Sequence, residues 1–198
     1  MKNNNLNAIV KIAVLSALAY CLMLLDFSIP IFPSFLKFDF SEIPVIIASF
    51  SMGPIAGICV ELVKNLLHLP ISSTMFAGEL ANFIIGSSYA LAAGLYYKHH
   101  KTKKGALTSV ILGSLTAVVF SCIANYAITL PAYHMFFGMS TEAIVAMSQK
   151  AIPLIQNKLT LILYGFLPFN LLKNIVVSTV TMFIYKPISP LLHRTYIN

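Results

Sequence analysis

Long apolar runs alternate with short polar or proline-rich breaks along the whole chain. About 20 apolar residues cross the hydrocarbon core of a bilayer as a helix. Helices also satisfy their own backbone hydrogen bonds, which lipid cannot do. The pattern therefore predicts an all-α membrane protein, a compact bundle of six transmembrane helices. The predicted spans lie near residues 6–25, 40–52, 54–70, 78–97, 105–130 and 158–185.

The breaks between the apolar runs are mostly short. The second and third spans are joined by SMGPIAG, where Gly53 and Pro54 predict a tight turn. Ser140 is a plausible N-cap for a further short helix over residues 141–150. We see no repeat of fixed period and no low-complexity linker, so we expect a single membrane domain over residues 1–198.

Composition agrees with this interpretation. The 198 residues are 58% hydrophobic and only 10% charged, whereas a soluble domain has about 25% charged residues. The first 20 residues, with a basic start and an apolar core, also fit a cleavable signal peptide. We favour a retained first helix, because the apolar run continues to Leu25. Three cysteines, all within predicted spans, argue against a disulfide framework or a metal site.

The basic residues predict an orientation. They cluster at the start of the chain, after the fourth span and after the sixth span: Lys2, Lys11, Lys98, Lys101, Lys103, Lys104, Lys186 and Arg194. These three segments lie on one side of a six-span protein, and the positive-inside rule makes that side cytoplasmic. Both termini are then cytoplasmic, and the net charge of +7 needs no nucleic-acid partner.

The segment over residues 26–44, on the opposite side, is rich in aromatic residues and proline. It fits either an interfacial loop with an aromatic belt or a lid that re-enters over a binding site. Apolar residues outnumber polar ones in this loop, which favours a lid.

A polar stripe interrupts the third span. Glu61, Lys64, Asn65 and His68 are spaced i, i+3, i+4 and i+7, so they share one helix face. Ionisable groups inside a membrane cost on the order of 2.5–3.5 kcal/mol each, and they normally face the bundle interior. They either pair with one another between helices or line a cavity. We interpret Glu61, Lys64 and Asn65 as an internal polar network that supports a pocket wall, with Lys64 reaching the ligand.

A second polar set predicts that pocket. It consists of Glu79 and Asn82 at the start of the fourth span, Asn125 in the fifth, and Asn170 and Lys173 in the sixth. With alternating spans, these side chains meet at one depth beneath the 26–44 loop. An amide such as Asn125 suits an imide edge, and Glu79, Lys173 and Asn170 suit hydroxyls. A flat heteroaromatic ligand with a hydroxylated tail therefore fits. No catalytic triad, zinc spacing or phosphate loop is apparent, so we do not expect an enzyme.

Several segments together carry a family resemblance. They are FPSFLKFDFSEIP (32–44), GPIAG (53–57), VELVKNLLH (60–68), GELANFIIGSS (78–88), ANYAITLP (124–131) and PFNLLKNIVVS (168–178), together with Ala13 and Ala17, which form a small-xxx-small pattern in the first span. The chain resembles the substrate-binding (S) components of energy-coupling factor (ECF) vitamin transporters, and among them the riboflavin-specific members.

The resemblance implies a bacterial plasma-membrane protein that binds riboflavin from the outer side. It also implies partners, namely a transmembrane coupling protein, which would dock on Ala13 and Ala17, and two ATPase subunits. The positions that match the family's substrate-contacting region are Glu79, Asn125, Asn170 and Lys173, with Asp39, Phe38 and Asn82 as additions. Other functions remain open at this point: an S component for a different vitamin, a stand-alone ion-coupled transporter, or a membrane enzyme.

Overall fold

The structure is a computed structural model, and it describes the backbone of residues 2–193 and the side chains of residues 6–185 and 187. Within these residues the chain forms seven helical segments, two of which contain a π-helical turn. Five of them are single helices: α1 (Lys2–Met23), α2 (Glu42–Met52), α3 (Pro54–His68, continued by a 3₁₀ turn at Leu69–Ile71), α4 (Ala77–His99) and α7 (Thr141–Gln149). In the sixth, α5 (Lys103–Ala124) is joined through a π turn (Asn125–Thr129) to α6 (Leu130–Phe137). In the seventh, α8 (Lys158–Leu161) is joined through a second π turn (Ile162–Phe166) to α9 (Leu167–His193).

Four of the described helices are long and apolar enough to cross a membrane, and they lie at Leu6–Met23, Pro54–Ile71, Lys103–Phe137 and Lys158–Tyr185. The prediction of an all-helical, multi-pass membrane protein is confirmed. The second and fourth predicted spans correspond to α2 and α4, which differ from these four in length or in polarity. Helix α2 has only 11 residues, and α4 has 23 residues but carries more polar side chains.

Local sequence signals place two helix boundaries, at Gly53 and at Ser140, where they were predicted. Gly53 has a φ of 98°, a conformation that glycine adopts without strain, and it makes the turn between α2 and α3. The Ser140 hydroxyl accepts a hydrogen bond from the Ala143 N–H at 3.2 Å, so Ser140 is the predicted N-cap of α7. The helix α7 ends at Gln149, one residue before the prediction.

Small residues allow α2, α3 and α4 to pack closely. A Cβ at Gly57 would lie 2.8 Å from the Ser49 Cβ and 3.0 Å from the Ala90 Cβ. The Ser49 hydroxyl donates to the Ala90 carbonyl at 2.7 Å, which joins α2 to α4. These contacts lie within the main apolar core, which is formed by residues of α1 to α5 and α9.

Residues 24–41, here called the first loop, fold onto the helices. The loop contains a short antiparallel pair, β1 (Phe27–Ser28) and β2 (Lys37–Phe38). Phe32 and Leu36 are buried, and the Phe32 ring meets the Phe169 ring edge-on at 5.3 Å. A loop with buried aromatic side chains favours the lid interpretation over an exposed interfacial loop.

The predicted orientation rests partly on residues outside this description. Arg194 lies beyond the described backbone, and the side chains of Lys2 and Lys186 are also outside the described residues. Cys21, Cys59 and Cys122 are free thiols.

Candidate ligand-binding site

A polar cavity of about 190 Å³, here called the ligand cavity, lies beneath the first loop. Its wall combines the first loop with the starts of α4 and α9, the end of α5 and the end of α3. Six of the eight predicted binding residues line it: Asp39, Glu79, Asn82, Asn125, Asn170 and Lys173. Phe35, Leu36 and Phe169 provide apolar surface in the same wall.

The helix register explains why these residues meet. Glu79 is the third residue of α4 and Asn170 is the fourth residue of α9, so both lie at the first turn of their helices. Asn125 opens the π turn after α5. The other π turn ends at Phe166, which also lines the cavity. Both π turns therefore border the ligand cavity, and π turns within helices frequently occur at functional sites.

A buried ion pair forms one side of the cavity. The Lys173 ammonium lies 2.8 Å from the Asp39 Oδ2 atom, and the Ser41 N–H donates to Asp39 Oδ1 at 2.8 Å. Burial alone would raise the pKa of Asp39, but the nearby ammonium groups of Lys173 and Lys64 and the hydrogen bonds outweigh it and hold this pKa below its ordinary value. This pair of opposite charges therefore connects the first loop to α9.

Two amide side chains are held by their own helices. The Asn125 Nδ2 atom donates to the Ser121 carbonyl at 2.8 Å, and the Asn170 Nδ2 atom donates to the Phe166 carbonyl at 2.9 Å. An amide group has two N–H donors and an acceptor oxygen. Each side chain is therefore fixed in direction while an oxygen and an N–H stay available for a ligand.

Glu79 is organised by three neighbours, and only one of them, His68 of the polar stripe, stood out in the sequence. The His68 Nδ1 atom lies 2.7 Å from Glu79 Oε1, so this nitrogen carries the proton that the carboxylate accepts. The hydroxyls of Ser72 and Thr74 donate to Glu79 Oε2 at 2.8 and 3.0 Å. His68 and Thr74 also line the cavity, as do Thr129 and Tyr133. Of these residues only His68 was indicated by its spacing, as part of the polar stripe on α3.

Two of the predicted binding residues do not line the ligand cavity. The Phe38 side chain packs between Phe27 and Phe40, with ring centroids 5.3 Å from each. The Lys64 side chain is fully buried. Its position does not match the expectation that it reaches a ligand, because its ammonium is enclosed by protein groups.

Lys64 lies at the centre of a buried charged cluster. Its ammonium is 2.6 Å from Glu42 Oε1 and 2.8 Å from Glu61 Oε2, and it donates to the Ser41 hydroxyl at 2.9 Å. Asn65 Nδ2 donates to Glu61 Oε1 at 2.8 Å. Glu61, Lys64 and Asn65 of the stripe on α3 therefore form an internal network, and Glu42 of α2 is a member that the spacing did not predict. His68 of the same stripe instead contacts Glu79 in the ligand cavity.

A glycine on α4 makes room for this cluster. A Cβ at Gly86 would contact the Glu61 carboxyl carbon and would lie 2.7 Å from both carboxylate oxygens. Glycine at this position therefore lets α4 pack directly against the Glu61 side chain.

The ligand cavity is not the largest concavity. Grooves of about 510 and 480 Å³ run along α5 and α9 and between α3, α4 and α6. Their linings are mainly Leu, Ile, Val, Met and Phe, as expected for surfaces that face lipid. The described residues contain no group of three or more His, Cys, Asp or Glu side chains that could hold a metal ion.

The two alanines predicted for docking lie on the outer surface of α1. Ala13 and Ala17 are exposed, whereas Leu15 and Ala19 on the other face are buried against the core. Among the described residues, nothing covers this face.

Comparisons with known proteins agree with one another. Residues 7–185 match the family model described as "ECF transporter, substrate-specific component". The chain is 36% identical over 186 residues to "Riboflavin transporter RibU" of Staphylococcus aureus (strain TCH60), covering 94% of this chain and 92% of that protein. It is 37% identical over 185 residues to "Riboflavin transporter FmnP" of Bacillus subtilis (strain 168), covering 92% of each.

A solved structure shows the same fold. The chain from "Structure and mechanism of the S component of a bacterial ECF transporter" superposes with a TM-score of 0.74 and 32% sequence identity, covering 98% of this chain and all of that one. Members of this family are transporter components and not enzymes. The protein belongs to the substrate-specific (S) components of ECF transporters, with helices that cross the membrane several times and a polar cavity under its first loop.

Proposed function

We propose that this S component binds riboflavin in the ligand cavity. The observation that carries the proposal is the convergence of Asp39, Glu79, Asn82, Asn125, Asn170 and Lys173 on one cavity. Relatives with 36% and 37% identity over almost the whole chain are named riboflavin transporters, which supports the choice of vitamin.

The chemistry of the cavity wall matches the two ends of riboflavin. Its isoalloxazine ring is flat and ends in an imide, which offers one donor between two acceptors. The fixed amides of Asn125 and Asn170 supply the complementary groups, and Phe35, Leu36 and Phe169 offer apolar surface for the ring. The ribityl hydroxyls can both donate and accept, which suits the charged side chains of Lys173, Asp39 and Glu79.

We infer a membrane arrangement from the positions of the charges. Glu79 and Lys98 lie near opposite ends of α4, separated by about 29 Å at 1.5 Å per residue, which is close to the thickness of the hydrocarbon core. In this arrangement Lys98, Lys101, Lys103 and Lys104 face the cytoplasm and the ligand cavity opens outward. Six helices then cross the membrane as one domain, and both termini are cytoplasmic. Helix α2 is the shortest of the six, and the first loop spans the rest of the membrane thickness at that crossing.

The same proposal names partners. An S component of this size has no nucleotide-binding motif in its sequence, so ATP-driven uptake needs ATPase subunits and a membrane coupling protein. The exposed small residues Ala13 and Ala17 allow another helix to approach α1 closely. We propose this face as the contact with the coupling protein.

Replacing Ala17 by tryptophan should reduce riboflavin uptake by cells about tenfold, because the large ring prevents close helix packing at the proposed contact. Binding of riboflavin by the purified protein should stay within about twofold, since Ala17 lies outside the ligand cavity. Leu18→Trp is the matched control, because Leu18 is also exposed on α1 but lies about 100° around the helix from Ala17. Equal uptake by the Ala17→Trp variant and the native protein would disprove this docking face.

The direct test of the proposed function is titration of the purified protein with riboflavin, followed by quenching of flavin fluorescence. The native protein should quench saturably at one site after any co-purified flavin has been removed. Asn125→Ala should weaken binding about tenfold, since about 1–2 kcal/mol is lost when a buried hydrogen-bonding partner is removed. Val119→Ala on the exposed face of α5 should bind like the native protein.

A folded, monodisperse native protein that does not quench flavin fluorescence would exclude riboflavin as the ligand. The S-component fold would stand, and a screen of other vitamins by the same preparation would then identify the ligand.

A further inference from the structure

A second, much smaller cavity lies inside the bundle next to the ligand cavity. Its volume is about 30 Å³, and we call it the inner cavity. It is enclosed by α2, α4, α5 and α9 through Glu42, Gly86, Tyr89, Ala117 and Asn174. Residues Asn82, Asn170 and Lys173 line both cavities.

Three residues of this wall carry a buried polar atom without a hydrogen-bond partner among the described residues. These atoms are Glu42 Oε2, Asn82 Oδ1 and Asn174 Nδ2. Glu42 and Asn174 are only 6% and 5% exposed. Glu42 Oε1 already accepts from Lys64 at 2.6 Å, so only the second oxygen of this wall residue is without a partner. A buried polar atom without a partner costs about 1–3 kcal/mol, and native proteins rarely leave three of them around one space.

We propose that the inner cavity binds an ordered water molecule that joins these three atoms. The water would donate to Glu42 Oε2 and to Asn82 Oδ1, and it would accept from the Asn174 Nδ2–H group. Three partners are the usual number for a buried water, and about 10–15 Å³ suffices to hold one. The cavity exceeds that volume.

The chemistry of the wall selects water over a cation. A bound hard cation such as Mg²⁺ or Ca²⁺ takes oxygen ligands, and it is repelled by N–H donors and ammonium groups. Two of the unpartnered atoms are acceptors, but the wall also contains the Asn174 N–H donor and the Lys173 ammonium. Water both donates and accepts, so it satisfies the mixed set.

The site has a consequence for ligand binding that rests on the proposed function. Asn82 lines the ligand cavity as well, and one water bonded to its Oδ1 atom would fix the orientation of its amide toward the ligand. The same water would connect α4 to Glu42 of the charged cluster and to α9. Asn82 is then a binding residue, and Glu42 and Asn174 are positioning residues that act on it through the water.

High-resolution crystallography of the native protein tests the site without any ligand. We expect one density peak with Glu42 Oε2, Asn82 Oδ1 and Asn174 Nδ2 at about 2.7–3.1 Å. Clear density for these side chains with no peak between them would overturn the proposal. A peak with five or more oxygen ligands at about 2.4 Å would also overturn it, because that geometry belongs to a cation.

The variant Asn174→Leu tests whether Asn174 affects ligand binding through the water or only contributes to helix packing. It has a similar volume but no donor, so the peak should disappear and riboflavin should bind about fivefold more weakly. Ile175→Leu, on the exposed face of α9, is the control and should change neither the peak nor the affinity. Loss of the peak with native affinity would overturn the positioning role of the water. A native protein that shows the peak but does not bind riboflavin would refute the proposed function alone.

Discussion

Replacing Lys173 by methionine should weaken riboflavin binding by about 100-fold. The Lys173 ammonium pairs with Asp39 at 2.8 Å, and both side chains are almost completely buried in the cavity wall. Removing one partner of a buried charge pair at a binding site costs about 2–5 kcal/mol, and about 2.7 kcal/mol corresponds to 100-fold. The measurement is the same fluorescence titration with purified protein. Lys104→Ala, an exposed lysine beyond the opposite end of α4, should bind riboflavin like the native protein.

A double variant shows whether Lys173 contacts the vitamin or only neutralises Asp39. In Asp39→Asn combined with Lys173→Met, both charges of this ion pair are removed, so neither is left unpaired. If Lys173 also donates to the ligand, affinity stays at least about tenfold below native, because one charge-assisted hydrogen bond to the ligand is missing. Recovery to native affinity would show that Lys173 only neutralises Asp39 of the first loop and does not bind the ligand.

The variant Lys64→Met should destabilise the whole protein more than any other single change considered above. Glu42 and Glu61 would be left as two buried carboxylates without their shared ammonium. Breaking a buried ion pair in this way costs about 3–5 kcal/mol. We expect the thermal midpoint in detergent, followed by fluorescence-detected size-exclusion chromatography, to fall by about 10 °C, with a matching loss of expressed protein.

Glu61→Gln is the matched variant for this prediction. It removes one of the two carboxylates, so Lys64 and Glu42 remain as a one-to-one pair, and the amide oxygen can still accept from Asn65. We expect a loss of about 1 kcal/mol, the range for one altered buried hydrogen bond. Lys101→Met, on an exposed lysine, should leave the midpoint unchanged. A native midpoint for Lys64→Met would show that the charged cluster does not hold α2 and α3 together.

The polar residues of the site were predictable because they stand out against an apolar background. Glu79, Asn125, Asn170 and Lys173 interrupt spans that otherwise contain Leu, Ile, Val and Ala. A charged or amide group in a membrane helix is costly unless it has a partner or a cavity. Helix alternation then placed all four at one end of the bundle, and the structure has them in one wall.

The partners of those residues were not predictable in the same way. Lys64 and Asn170 look alike from sequence, since each is a polar residue within an apolar helix. Lys64 meets Glu42, 22 residues away, and that contact depends on the turn at Gly53 and on the close packing of α2 against α3. The π turn that starts at Asn125 has no signature in the sequence, because its residues are as compatible with an α-helix as with a π turn.

The sequence by itself determined that this protein is a helical bundle in a membrane. It also determined that the few polar side chains within the apolar helices point into the bundle. The physical reason is the free energy of transfer, which acts on each residue separately and does not depend on its neighbours. Only the tertiary structure decided that Lys64 is neutralised by Glu42 and Glu61 and does not face the ligand cavity. This arrangement depends on distances of less than 3 Å that join Lys64 of α3 to Glu42 of α2 and Lys173 of α9 to Asp39 of the first loop. Such distances follow from packing and not from any pattern along the chain.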